Sequence, residues 1–221
     1  MKKALIFRGG WDGHHPLEVS EVFRDILEKE QFAVEIYDDM AVLDDAVYLK
    51  TLDLIIPIWT MGEIVPQRRQ NISEAVASGV ALAGCHGGMC DAFRSDVDWQ
   101  FLTGAQWVAH PGGDTVTYTV NLVPDTYFTR GLSDFEIQSE QYYLQIDPAV
   151  KVYATTNFPT VDGPHAANGP VKMPVLFTKL WGKGRVFYLS LGHTEESFSI
   201  PAARELMRRG FLWAADSSIE A

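Results

Sequence analysis

The 221-residue chain has only two cysteines, Cys85 and Cys90, so a disulfide framework is not implied. It is also short of positive charge, with 18 basic residues against 29 acidic ones and a net charge of −11. That field repels polyanions, and nucleic-acid binding usually needs a basic patch to displace counterions. The one dense basic cluster, Arg204, Arg208 and Arg209, reads as the polar face of a helix, so no nucleic-acid partner is expected. No apolar run reaches the roughly 18 residues of a membrane span. The opening apolar stretch, Ala4–Phe7, stops at Arg8, short of the roughly 7–15 residues of a signal-peptide core. It reads as a first strand, no membrane association is expected, and the cytoplasm is the default location.

What is present is an ordinary globular composition, 47% apolar, long enough to bury a core without staples. Linkers, repeats and low-complexity segments are absent, so residues 1–221 are read as one domain.

The first ninety residues alternate between strand-like and helix-like segments. Ala4–Phe7 is an apolar run ending in Gly9-Gly10, and Pro16–Lys29 has helical apolar spacing with proline in its first turn. Phe32–Tyr37 alternates like a strand. Leu54–Ile58 is a third, with Pro57 placed at its end. Pro66–Ser78 reads as a helix closed by Gly79, and Val80–Ala83 as a fourth strand. Such alternation predicts βαβ units and a parallel sheet, with loops gathered at the carboxyl ends of the strands. Further on, Thr115–Val123 and Val150–Thr156 are strand-like. Val175–Leu180 and Arg185–Leu191 look like a hairpin, and Asp162–Pro174 like a surface loop. About Ile200–Ala214 forms a closing helix. Apolar Phe198 and Ile200 leave room for a homodimer.

Histidine is the scarce residue that carries information: there are six, and three stand in loops directly after predicted strands. Arg8-Gly9-Gly10-Trp11-Asp12-Gly13-His14-His15-Pro16 fits neither a dinucleotide fingerprint nor a phosphate loop. Its glycines permit a tight bend that leaves Trp11 and a histidine near a helix start. Val80-Ala81-Leu82-Ala83-Gly84-Cys85-His86-Gly87-Gly88 is a strand running into the small-residue frame of a nucleophile elbow, with His86 at the tip. Cys85 is one residue early, so strand alternation turns its thiol away and makes it a buried core residue. Arg185–Leu191 runs into Gly192-His193-Thr194-Glu195, where a carboxylate two residues on can orient an imidazole. Alternatively, Glu195 and Glu196 simply begin the last helix.

Together these pieces resemble the ThuA family, named for trehalose utilisation, within the class I glutamine amidotransferase-like superfamily. Trp107-Val108-Ala109-His110-Pro111 and Ser139-Glu140-Gln141-Tyr142-Tyr143 agree, in the same order along nearly the whole chain. The resemblance implies a three-layer α/β, flavodoxin-like fold with a central, mostly parallel sheet. It also implies a polar pocket lined by His14, His86, His110, Glu140, Tyr142 and His193. His15 stands where many relatives are acidic, which leaves open which of His14 and His15 faces the pocket, although the motif spacing favours His14. His165 matches nothing.

The family link is to disaccharides and 3-keto-sugars, so the expected partner is a small sugar or keto-sugar. A neutral histidine and a carboxylate beside a ketone can move a proton next to the carbonyl. On that reading His86, His193 and Glu140 are acid/base candidates. Trp11, His14, Trp59, His110 and Tyr142 would contact the sugar, with Trp59 equally suited to the core. Three alternatives stand beside it. One is metal-assisted hydrolysis or lyase chemistry, with His14, His86 and His193, joined by Glu140, holding zinc or another divalent ion. Another is sugar binding without turnover. Glutamine amidotransfer would need Cys85 as nucleophile, against the histidine at the elbow tip.

Overall fold

The computed structural model describes residues 1–221. Eleven strands and six α-helices follow in the order β1 (Lys3–Gly10), α1 (Pro16–Lys29), β2 (Ala33–Tyr37), α2 (Ala46–Leu49), β3 (Leu54–Thr60), α3 (Pro66–Ser78), β4 (Ala81–Cys85), α4 (His86–Cys90), α5 (Val97–Thr103), β5 (Ala105–Ala109), β6 (Thr117–Leu122), β7 (Phe135–Gln138), β8 (Tyr143–Ile146), β9 (Lys151–Phe158), β10 (Val171–Trp181), β11 (Gly184–Leu189) and α6 (Pro201–Ala215).

Nine strands make one sheet in the order β2-β1-β3-β4-β11-β10-β9-β6-β7. From β2 to β11 the neighbours are parallel; from β11 outwards they are antiparallel. The chain thus has the flavodoxin-like, three-layer α/β architecture expected, with an antiparallel extension on one edge. Strands β5 and β8 form a separate two-stranded ribbon.

Period-two alternation explains the layering. In β1, Ala4 and Ile6 pack into the core shared with α1 and α6, while Leu5 and Phe7 pack into the core under α3 and α5. Both faces of the central strands are buried, which is why they read as continuous apolar runs. Helices α1 and α3 have the predicted bounds, each with proline in its first turn. Arg204, Arg208 and Arg209 lie on the polar side of α6, paired with Asp25, Glu30 and Glu205.

Three expectations need correction. Pro57 is the fourth of seven residues in β3, not its end. It is accommodated because β3 pairs with β4 only at Leu54 and Ile55, so no ladder bond to β4 is needed beyond them. The stretch Asp162–Pro174 is not all loop: Pro164–Asn168 is a short 3₁₀ turn and β10 already begins at Val171. Phe198 does not face outwards; it is 2% exposed and meets Phe23 edge-on inside the core, so it lends nothing to a dimer surface.

Candidate functional site

Four loops leave the carboxyl ends of adjacent parallel strands and place their side chains at one point. This is the crevice where open α/β sheets bind ligands, beside the reversal of strand order at β1.

After β1 the chain must turn hard against the end of β3. A Cβ on Gly10 (φ +81°) would lie 2.2 Å from the carbonyl oxygen of Thr60, so only glycine fits. The short turn Asp12–His14 follows, and His15 adopts a left-handed conformation (φ 46°) immediately before α1. That reversal separates the two histidines. His14 points inwards, 6% exposed, with Nδ1 2.8 Å from the Thr60 hydroxyl. His15 points outwards, with Nδ1 2.8 Å from Glu195 Oε2. His14 is therefore the pocket residue.

At the elbow His86 has φ 43°, a left-handed conformation that costs a non-glycine residue roughly 1–2 kcal/mol. The Tyr188 hydroxyl donates to its carbonyl and helps hold the turn. Gly87 has no room for a side chain, since a Cβ would sit 2.5 Å from the His14 ring. His86 is 1% exposed, stacked on Tyr142 with ring centres 3.8 Å apart. Its Nδ1 lies 2.8 Å from the Ser190 carbonyl, which can only accept, so Nδ1 carries the hydrogen. Its Nε2 then faces Glu140 Oε2 at 3.0 Å.

Glu140 lies on the segment between β7 and β8 and enters from the antiparallel side. The Tyr118 hydroxyl donates to its carbonyl. The neighbouring Gln141 donates to Thr156 and Asn157 and accepts from Thr160, fixing the segment to β9 and the loop beyond it. Around Glu140 Oε2 stand His86 Nε2 at 3.0 Å, His193 Nδ1 at 3.3 Å and His14 Nε2 at 3.6 Å. His110 Nδ1 is 3.6 Å from Oε1. Nδ1 of both His193 and His110 is buried without an aligned hydrogen bond.

Burial pushes the His86 pKa down to about 4, against the pull of Glu140. Burial also acts to raise the Glu140 pKa, but the imidazoles of His14 and His193 outweigh it and hold the carboxyl below its ordinary 4.5. The centre is thus a buried carboxylate facing imidazoles, of which His86 is held neutral.

Six expected pocket residues converge: His14, His86, His110, Glu140, Tyr142 and His193. Trp11 stands at the rim, 45% exposed and edge-on to His14. Trp59 is half-buried and packs against the core, its ring close to Gly9 and Gly62. His165 lies far along the chain in the 164–168 turn, directed at the Val161 carbonyl. Glu195 does not orient His193. It opens a 3₁₀ turn ahead of α6 and pairs with His15, leaving Glu140 as the carboxylate beside His193. Cys85 is 2% exposed on the opposite side of β4, in the core with Leu191 and Phe198, and burial raises its thiol pKa.

Several supporting residues were not expected. Thr60 and the Ser190 carbonyl fix the two imidazoles, and both lie at the ends of core strands. Trp107 packs near His110 and Tyr142 under the Arg94 guanidinium, which in turn forks onto buried Asp91. The end of β3 was a legible signal for Thr60; a backbone carbonyl leaves none. Beside His193 a polar cleft of about 650 Å³ opens between Gly13, Asp114, Ser139, Thr194 and Glu196. Clefts of roughly 300–1,000 Å³ suit small ligands.

Fold and site define a flavodoxin-like α/β protein whose turn after β4 presents a histidine at its tip. The chain belongs to the ThuA family, described as trehalose utilisation, whose sequence model matches residues 3–214. It is similar in structure to a ThuA-like protein from Parabacteroides merdae (18% identity, all of this chain and 92% of that one, TM-score 0.72). Another such protein, from Bacteroides uniformis, shares 17% identity over 96% of this chain and 91% of its own (TM-score 0.70). The same architecture recurs within a β-galactosidase from Bacillus circulans sp. alkalophilus, at 11% identity over 98% of this chain but 31% of that one (TM-score 0.61). No curated protein matches the chain in sequence.

Proposed function

We propose that this protein acts in disaccharide utilisation by converting an oxidised sugar, a 3-keto-disaccharide of the trehalose type, in the His/Glu140 pocket. The observation that carries the reading is the convergence of His14, His86 and His193 on one buried carboxylate beside a polar cleft. Hydroxyl-rich ligands need such polar walls, and exposed Trp11 at the rim offers an aromatic face to a sugar ring.

The chemistry follows from the groups available. A ketone acidifies the proton on the adjacent carbon. Its removal by a pocket base gives an enolate, and reprotonation elsewhere isomerises the sugar. Alternatively the enolate expels the glycosidic oxygen on the next carbon, which takes a proton from a pocket acid and leaves an unsaturated keto-sugar and a free sugar. His193 lines the cleft and is placed to exchange the proton with substrate. Glu140 lies beside His193 and can fix the charge that develops there, while His86, locked by Ser190 and stacked on Tyr142, forms the wall behind it. His14, His110, Tyr142 and Trp11 shape the surrounding wall.

Incubation of the purified protein with 3-keto-trehalose, followed by mass spectrometry, tests this. A change in product mass or isomer, lost in His193→Ala, is expected. Saturable sugar binding without any product would replace conversion by a sensor or carrier role. Amidotransfer has no support, because the only elbow thiol is turned into the core.

A further inference from the structure

The lone pairs at the centre of the pocket do not match one another. His86 Nδ1 carries the hydrogen that the Ser190 carbonyl accepts, so a neutral His86 ring presents only a lone pair at Nε2. That lone pair faces a carboxylate oxygen 3.0 Å away. His14 is placed alike: Nδ1 is engaged by the Thr60 hydroxyl, which can accept its hydrogen, and Nε2 points inwards. His193 brings a third nitrogen with no aligned hydrogen-bond partner. A proton on one ring would satisfy one of these N···O pairs and leave the others unresolved.

The distances suggest what resolves all of them. Four nitrogen and oxygen ligands at about 2.0–2.1 Å from a tetrahedral ion lie roughly 3.3 Å apart. Glu140 Oε2 is 3.0, 3.3 and 3.6 Å from the three imidazole nitrogens. The four ligand atoms all lie within 4.8 Å of one another. A metal-binding histidine also characteristically engages its other ring nitrogen with a carbonyl or similar partner, fixing the tautomer; Ser190 and Thr60 provide this for His86 and His14. His165 and His15 also meet a carbonyl and a carboxylate, but neither belongs to a cluster of ligating side chains.

We infer that His14 Nε2, His86 Nε2, His193 Nδ1 and Glu140 Oε2 form a binding site for a divalent transition metal of zinc's class. Three nitrogens and one oxygen are a borderline donor set, which disfavours magnesium and calcium. The site deepens the reading of the pocket as a catalytic centre: with His193 committed to the ion, the proton would pass to another pocket group such as His110, and the ion would stabilise the oxygen of an enolate. It does not require a sugar, so it is tested without one.

The experiment is titration of the chelator-treated, full-length protein with Co²⁺, read by visible absorption and by calorimetry, with zinc quantified in the untreated protein. One equivalent of bound Co²⁺ with intense d–d bands, displaced by Zn²⁺, is expected. His193→Ala, at the accessible side of the cluster, should weaken Co²⁺ binding by more than about 100-fold. Thr60→Val, which removes only the partner of His14, should cost about 10-fold, in the range for outer partners of ligands. His165→Ala should bind as the unaltered protein does. Absence of a saturable Co²⁺ site, or a His193→Ala protein that binds Co²⁺ as tightly as the parent, would overturn the assignment. Failure of the keto-sugar assay leaves these readouts untouched, so the two proposals fail separately.

Discussion

Lys179 and Glu140 are both buried, 6% and 5% exposed, and both gather partners from distant parts of the chain, but their surroundings differ in kind. Lys179, on β10, donates to Asp147 at 2.6 Å and to the Phe101 carbonyl, and lies over the rings of Phe101 and Trp181. Donors there meet acceptors, and positive charge meets aromatic faces. Glu140 meets nitrogens that do not all offer it hydrogens, on a backbone strained at His86. One cluster is a finished ion pair closing α5 and β8 onto the sheet. The other leaves Nδ1 of His193 and His110 without an aligned partner. Burial of charge therefore does not by itself mark function; incomplete pairing beside a cleft is what supports the proposal for Glu140.

The comparison is broken most sharply by removing one centre at a time. His86→Ala is expected to lower turnover of the keto-sugar by about 10²–10⁴-fold while circular dichroism stays that of a folded protein. Near-parental kinetics would take His86 out of the mechanism. Lys179→Met should leave turnover near that of the parent but destabilise the fold by about 2–4 kcal/mol in urea titrations, because Asp147 loses its partner; the figure stays moderate because Asp147 remains partly hydrated. Adding Asp147→Asn should restore part of the loss, and a fully additive double variant would contradict coupling.

The two clusters should also fail in different pH windows. In the metal-free protein His86 has its pKa depressed from 6.5 to about 4, so the unfolded chain takes up the proton first. Stability is full above about pH 6.5 and falls as pH drops towards 4. Asp147 is held below its ordinary 3.8 by Lys179 and the Ala149 amide, so its contribution persists above that value and is lost as pH falls further. His86→Ala should flatten the upper window and Lys179→Met the lower one, in urea midpoints measured across pH. The smallest effect belongs to the His15–Glu195 pair, which is partly exposed. Glu195→Ala should cost less than about 1 kcal/mol and leave kinetics unchanged; a large kinetic loss would restore Glu195 to the role of orienting His193.

The parallel half of the fold was legible from the chain because β1, β3, β4 and β11 are largely buried on both faces and α1 and α3 begin with a marked proline. Positions such as Pro16, Pro66 and Gly79 announced the bounds of α1 and α3. The antiparallel edge was less legible. Strands β5, β7 and β8 are four or five residues long, and their partners lie far away in sequence. At the site, His14, His86 and His193 were readable as residues following strands. Glu140, His110 and Tyr142 came only through the resemblance of whole motifs, since no local spacing ties them to the histidines. Pairing preferences were hidden: that Glu195 meets His15, and that Ser190 sets the tautomer of His86, depends on where β1, β4 and β11 end relative to one another.

The most direct test of the central claim, that the Glu140 cluster is a working active centre, is exposure of the purified protein to 3-keto-trehalose with product analysis by mass spectrometry, alongside His193→Ala. The account predicts consumption of the keto-sugar by the parent protein and none by the variant. Equal consumption by both, or none by either at saturating sugar, would contradict it.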